Sequence, residues 1–172
     1  MTKKYISISD FVIVKIIGRG GFGKVLLVEK KDDGKLFAMK VIKKDMVAQR
    51  NQKIHTQAER KILENMRSPF IVQLHYAFQS ESRLYLVMDF MIGGELFFHL
   101  RREKRFNVEK TRLYSAQIIL ALEYLHKKNI IYRDLKPENI LVGEDGYLKI
   151  TDFGLSKVIM VGEKSYTFCG TP

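Results

Sequence analysis

The first ninety residues alternate apolar and polar positions in the manner of strands. Phe11-Val-Ile-Val-Lys-Ile-Ile17 is β-branched and runs into a glycine cluster. Val25-Leu-Leu-Val28 follows, and the turn Lys31-Asp-Asp-Gly34 leads into Leu36-Phe-Ala-Met-Lys-Val-Ile42. These are three strands with hairpin punctuation. Over 51–66, apolar side chains at Ile54, Ala58, Ile62, Leu63 and Met66 recur at helical spacing, and Ser68-Pro69 ends that helix. Two further strand-like runs span 70–78 and 83–90, and Gly93-Gly94 marks a break. Beyond it, Asn107 caps a helix running through His126, with Glu109 in its first turn. Short strands are predicted at 140–142 and 147–150, joined by the Glu144-Asp-Gly146 turn. The stretch 157–172 shows no clear period. A sheet with one helix, followed by a helical part, is an α+β pattern.

Composition narrows the class without naming a function. The 172 residues are 46% hydrophobic, enough for a core and too apolar for a disordered chain. No apolar run approaches the ~18 residues of a membrane span, and the N-terminus lacks a signal-peptide hydrophobic block. The single cysteine, Cys169, cannot form an internal disulfide, which fits a reducing compartment, the cytoplasm or also the nucleus. The net charge of +11 raises nucleic-acid binding as a possibility. The cations are spread out, however. The densest cluster, Arg101-Arg102-Glu103-Lys104-Arg105, is short, contains an acid and reads as a solvated helix face. No nucleic-acid partner is expected.

Gly18-Arg-Gly20-Gly21-Phe-Gly23-Lys-Val25 fits G-x-G-x-x-G-x-V. Alone, such spacing marks a tight turn as readily as a nucleotide loop. Here β-branched strands flank it on both sides, so it is a hairpin tip and not a strand-to-helix dinucleotide loop. Glycines without Cβ let backbone N–H groups approach phosphate oxygens. Lys40 lies on the next strand, seventeen residues after Gly23. A lysine in an apolar strand is costly to bury unpaired. Glu59, among apolar neighbours on the 51–66 helix, is the partner that would hold its ammonium toward phosphates. From these residues the chain resembles the small lobe of a eukaryotic protein kinase.

Ile131-Tyr-Arg133-Asp134-Leu-Lys136-Pro-Glu138-Asn139 resembles the kinase catalytic loop, with Tyr132 where many kinases have histidine. The resemblance implies that Asp134 accepts or orients the substrate hydroxyl proton, Lys136 neutralises the transferring phosphoryl group, and Asn139 holds Mg²⁺. Thirteen residues after Asn139, Thr151-Asp152-Phe153-Gly154 supplies a second metal ligand, Asp152. Each piece has a bland alternative as a turn or cap. Their order and spacing together carry the resemblance, which covers residues 10–172.

The implied architecture is a two-lobe kinase fold. Residues 1–90 form the small lobe, a five-stranded antiparallel sheet plus one helix. Residues 91–172 form the hinge and part of the large lobe. By the same resemblance ATP is the co-substrate. Its adenine bonds the backbone of Met88-Asp89-Phe90-Met91, Val25, Ala38 and Leu141 sandwich the base, and Glu95 lies beside the nucleotide. Leu63, Leu74, Tyr132 and Phe153 resemble the apolar stack that links the lobes.

Tyr166-Thr167-Phe168-Cys169-Gly170-Thr171-Pro172 resembles the activation-loop end of the AGC group of serine/threonine kinases. That implies phosphorylation of Thr167 by an upstream kinase, with Arg133, Lys157 and His55 as cationic partners. It also implies substrates with arginine before the Ser or Thr acceptor, received by Glu95 and Glu138, with Thr171 in the substrate-binding end of the segment. The groove near Lys44, Val47 and Leu84 resembles the docking site for the hydrophobic motif of a C-terminal tail. Family catalytic domains continue past the point matched by Pro172, and apolar surface on the 107–128 helix is expected to be exposed. A fragment that binds ATP or partner peptides without turnover is the alternative expectation.

Overall fold

The computed structural model describes residues 5–20, 23–49, 53–159 and 169–170. The chain forms two compact units, residues 1–56 with 73–90 and residues 57–72 with 91–172.

The first unit is built on strands β1 (Phe11–Gly20), β2 (Gly23–Lys30), β3 (Leu36–Lys43), β4 (Leu74–Gln79) and β5 (Arg83–Asp89). They form one antiparallel sheet in the order β1-β2-β3-β5-β4, the five-stranded sheet that the sequence predicts. Two helices accompany it, the short α1 (Lys44–Gln49) and α2 (Lys53–Glu64), which runs on into the second unit. Side chains alternate between the two faces of a strand. Phe37, Met39 and Val41 of β3 therefore share one face, packed with Phe11, Leu26, Val28, Tyr85 and Val87. Ile42 lies on the other face, packed with Val47 and Leu86. Ala38 and Lys40 have the parity of Ile42, and Val25 has the parity opposite to Leu26. The three candidate site residues thus stand on one face.

The second unit contains β6 (Gly94–Glu95), α3 (Leu96–Glu103), α4 (Val108–Lys127), β7 (Ile130–Ile131), β8 (Ile140–Val142), β9 (Leu148–Ile150) and β10 (Lys157–Val158). Leu96, Ile140, Val142 and Leu148 form its core cluster, flanked by Phe106, Tyr114 and Ile118. Asn107 caps α4 as expected, its side-chain oxygen accepting from Lys110 N–H at 2.8 Å. Leu113, Ile119 and Leu120 of α4 are exposed, as expected of that helix. Among the described residues, no helix is long and apolar enough to cross a membrane.

One local expectation needs correction, and two short elements add to the reading. The strand predicted from Phe70 begins at Leu74. The backbone of 70–72 hydrogen-bonds to β9 instead of β5: Ile150 N–H donates to Phe70 at 2.9 Å and Val72 N–H to Ile150 at 3.0 Å. The interval between Gly94 and Asn107 holds a helix, α3, anchored by buried Leu96. At the start of the aperiodic stretch, Lys157 and Val158 pair with Ile131 and Ile130.

Candidate active site

The strands of the glycine hairpin are paired up to Gly20 and Gly23. Gly18 faces Val25 and Gly20 faces Gly23 across the β1–β2 ladder. A Cβ on Gly23 would stand 1.8 Å from the Val41 carbonyl oxygen, whereas one on Gly20 would meet nothing within 4 Å. The two glycines therefore differ: Gly23 permits backbone approach between β2 and β3, and Gly20 has room for a side chain. Gly21 lies outside the described residues. Lys40 faces Val25 on β2 and Leu86 on β5, and is half-buried. Ala38 faces Met88, which is buried. His55 is half-buried on α2.

At the end of β5, Asp89 is held by two residues that sequence reasoning did not single out. Its carboxylate meets His75 Nε2 at 2.7 Å and accepts from Gln73 N–H at 3.1 Å. An aspartate beside a strand histidine is too common a pair to signal this from sequence.

In the second unit, the turn after Met91 is pinned to β8. Gly93 N–H donates to Val142 at 3.0 Å, and a Cβ on Gly93 would come within 2.7 Å of the same carbonyl oxygen. Gly94 follows with φ +68°, a conformation glycine adopts without penalty. His99 Nε2 lies 2.7 Å from the Gly93 carbonyl oxygen and ties α3 to this turn. Buried Met91 and exposed Glu95 flank the turn, and Glu95 faces Leu141 in the β6–β8 ladder.

The catalytic-loop residues converge. Asn139 Nδ2 donates to the Asp134 carbonyl at 2.9 Å and to its carboxylate Oδ2 at 2.8 Å. Lys136 Nζ lies 3.0 Å from the same Oδ2. Asp134 and Lys136 side chains are 10% and 28% exposed, so this cluster is partly shielded, which strengthens its charge–charge interactions. Glu138 sits beside it in the 3-10 turn Pro137–Asn139. The Asn139 carbonyl accepts from Thr151 N–H at 3.0 Å, which ties the segment before Asp152 to the loop. Asp152 has φ +58° and Arg133 φ +68°, left-handed conformations that non-glycine residues hold at a cost. Both strained residues flank the cluster.

Phe153 is fully buried, and its ring packs edge-on against Tyr132 at 5.3 Å. Leu63 and Met66 are buried in the same unit. The Tyr132 hydroxyl donates to the Thr151 carbonyl. Burial, then the nearby carboxylates of Asp152 and Asp134, push this phenol far above its ordinary value. Gln117, buried on α4, accepts from Leu148 N–H at 2.7 Å and so anchors the start of β9. Glu59 is 4% exposed on α2.

Arg133 donates through Nε to the Leu155 carbonyl at 2.7 Å, while its Nη1 is buried and has no hydrogen-bond partner among the described residues. Lys157 is half-buried on β10. Gly170, with φ +117°, passes so close to the loop that a Cβ would lie 2.9 Å from the Arg133 carbonyl oxygen. Thr167 and Thr171 lie outside the described residues.

Oxygen donors suit a hard divalent cation, and Mg²⁺ is usually held by one or two side chains plus substrate phosphates. Asn139 and Asp152 are such a pair, linked through the Thr151 amide. The side chains of this second unit therefore fit Mg²⁺.

Comparison with known proteins agrees with this chemistry. The family described as "Protein kinase domain" matches residues 11–172. "Protein kinase 2" of Dictyostelium discoideum is 55% identical over 163 residues, covering 95% of this chain and 34% of that protein. "Serine/threonine-protein kinase Sgk3" of Rattus norvegicus is 52% identical over 166 residues, covering 95% of the chain and 34% of that protein. "RAC-beta serine/threonine-protein kinase" of Homo sapiens is 48% identical over 168 residues, covering 97% and 35%. The chain thus spans about a third of the length of the curated relatives it matches. These names accord with the serine/threonine group that residues 166–172 resemble.

Proposed function

Because this chain belongs to the protein kinase domain family, we propose that it is the N-terminal portion of an AGC-type serine/threonine kinase catalytic domain. It transfers the γ-phosphate of ATP to Ser or Thr hydroxyls in arginine-rich peptides. The observation that carries this reading is the cluster in which Asn139 and Lys136 both engage Asp134 Oδ2, at 2.8 and 3.0 Å. Two donors on one oxygen fix the plane of the carboxylate, so that it presents a set direction to a hydroxyl.

In the proposed reaction the substrate oxygen forms a bond to the γ-phosphorus, the bond to the leaving ADP oxygen breaks, and the hydroxyl proton passes to Asp134. Lys136 places positive charge beside the transferring group, and Lys40, oriented by Glu59, does so for the other phosphates. Mg²⁺, when bound by Asn139 and Asp152, supplies charge neutralisation on the phosphate oxygens. Backbone groups of Met88, Asp89 and Met91 hold the adenine, with Val25, Ala38 and Leu141 against its faces and the glycines at 18, 20, 21 and 23 over the phosphates.

Regulation and specificity follow as parts of the proposal. Phosphate on Thr167, added by an upstream kinase, pairs with Arg133, Lys157 and His55. Support comes from the buried Arg133 Nη1, a donor that an anion would satisfy. Glu95 and Glu138 receive the substrate arginines, and Thr171 lies at the substrate. The single cysteine supports a cytoplasmic or nuclear setting, which fractionation of the tagged protein tests.

The enzymatic reading is tested by assaying the full-length protein, treated with an activating kinase, on Ser peptides with and without upstream arginine. Arginine-dependent phosphorylation that Asp134→Asn abolishes supports it. Equal rates in wild type and Asp134→Asn refute it.

A further inference from the structure

Ahead of β1, residues 5–10 form a short latch on the sheet of the first unit. Ile6 and Ile8 pack, half-buried, against the cluster that contains Phe11, Leu26, Val28 and Phe37. The serine between them is tied to Asp10. Its N–H donates to Asp10 Oδ2 at 2.8 Å, and Ser7 Oγ donates to the same oxygen at 3.3 Å. Ser9 Oγ stands 2.7 Å from Ser7 Oγ. The Asp10 backbone is fixed in turn, its N–H donating to the Ser7 carbonyl at 3.2 Å and its carbonyl accepting from Lys31 N–H at 3.0 Å. The latch thus closes on one carboxylate oxygen that takes two donors from Ser7.

Ser7 also has a setting that no other Ser or Thr of the chain shares. Four such residues have a Lys or Arg three positions earlier: Ser7 after Lys4, Thr56 after Lys53, Ser115 after Arg112 and Thr167 after Lys164. Only Ser7 has a second cation directly before the first, Lys3. Thr56 and Ser115 lie inside α2 and α4, where turns must unwind before a hydroxyl can be aligned with a γ-phosphate. Ser7 is already extended, with φ −139° and ψ 177°.

We infer that Ser7 is a phosphoacceptor for a second copy of this kinase, and that its phosphorylation releases the latch. This rests on the reading given above, of a kinase that selects cations before the acceptor. In the step, Ser7 Oγ bonds to the γ-phosphorus of ATP, the bond to the departing ADP oxygen breaks, and the hydroxyl proton passes to Asp134 of the second copy. Lys3 and Lys4 meet the carboxylates that receive upstream cations. The phosphate places a charge of roughly −1.5 to −2 where Ser7 Oγ had donated to Asp10. It has no hydroxyl to give that carboxylate and repels it, so Ile6 and Ile8 leave the sheet.

The test uses activated full-length protein as enzyme, the full-length Asp134→Asn chain as acceptor, and mass spectrometry to map the phosphate. Ser7 of the acceptor should be phosphorylated. Lys3→Ala combined with Lys4→Ala should slow that step roughly tenfold, as loss of two exposed ion pairs implies. The Ser7 and Asp10 amides, both bonded within the latch, should exchange with solvent faster once Ser7 is phosphorylated. A Ser peptide with upstream arginine, present in every reaction, reports on the enzyme itself. Phosphorylated peptide beside unmodified Ser7 overturns the inference and leaves the kinase reading standing. If neither is phosphorylated, the kinase reading falls and the inference with it. Equal Ser7 rates with and without Lys3 and Lys4 overturn recognition through upstream cations. Unchanged amide exchange in the phosphorylated chain overturns the release.

Discussion

Asn139 holds Asp134 twice through one nitrogen, 2.9 Å from the carbonyl oxygen and 2.8 Å from carboxylate Oδ2. The amide is buried, so its replacement removes both bonds where water cannot enter freely, with Lys136 still meeting Oδ2. Asn139→Ala should cost on the order of 2 kcal/mol of stability, since one of the two bonds is to a charged acceptor. It should also abolish the rise in melting temperature that Mg-ATP produces. Denaturant titration with and without Mg-ATP measures both effects. A variant that keeps the full Mg-ATP response removes Asn139 from the metal site.

The glycine hairpin offers a paired test. Ala at position 23 drives its Cβ to 1.8 Å from the Val41 carbonyl oxygen, and backbone in a paired strand cannot yield as a side-chain tip can. Gly23→Ala should destabilise by about 3 kcal/mol, the upper part of the range for overpacking. Gly20→Ala meets nothing within 4 Å and should lie within about 0.5 kcal/mol of wild type. Thermal unfolding of the two variants side by side suffices. Equal effects would mean that the β2–β3 spacing around Gly23 is not as tight as described.

Gly170 and Gly146 separate backbone strain from steric contact. Both have positive φ, +117° and +78°, but only Gly170 has a neighbour where its Cβ would go, the Arg133 carbonyl oxygen at 2.9 Å. Gly146→Ala should cost about 1 kcal/mol through backbone conformation alone. Gly170→Ala adds displacement from Arg133, so amide hydrogen exchange at residues 133–135 should accelerate in that variant and not in Gly146→Ala. Unchanged exchange there would place the contact outside the solution ensemble.

How far the sequence reached depended on the range of the interactions involved. The five-stranded sheet, the Asn107 cap and the order of the catalytic motifs were legible because strand alternation, capping and turn chemistry act over a few residues. The strand start at Leu74 was not, because residues 70–72 give their hydrogen bonds to β9, some eighty positions later. Of α3 only the basic end was legible as a helix face, because its start is set by burial of Leu96 with Ile140, Val142 and Leu148. Within the site, Asp134, Lys136 and Asn139 were legible by type and spacing. The residues that position others, His75, His99 and Gln117, carry no spacing signal, because a single histidine or glutamine on a regular element reads as an ordinary surface or core position.

Tyr132 makes the site's pH dependence predictable. Its hydroxyl is buried, donates to the Thr151 carbonyl, and stands near the carboxylates of Asp152 and Asp134. Burial first, and these charges second, raise its pKa in the folded state. In the unfolded chain a tyrosine ionises near pH ~10. Above that pH the unfolded state gives up a proton that the folded state retains, so stability is present in full below ~10 and is lost as pH rises, by up to about 1.4 kcal/mol per pH unit. Phenylalanine at this position lacks both the hydrogen bond and the titration. Tyr132→Phe should therefore be less stable than wild type by about 1 kcal/mol near neutrality. Because only wild type carries this alkaline loss, the gap should close by roughly pH 11 and then reverse. Denaturant titrations of both proteins at neutral and alkaline pH give the two slopes. Parallel slopes would show that the phenol ionises as readily in the folded state as in the unfolded one, and that the hydroxyl is not enclosed between Phe153 and the catalytic loop.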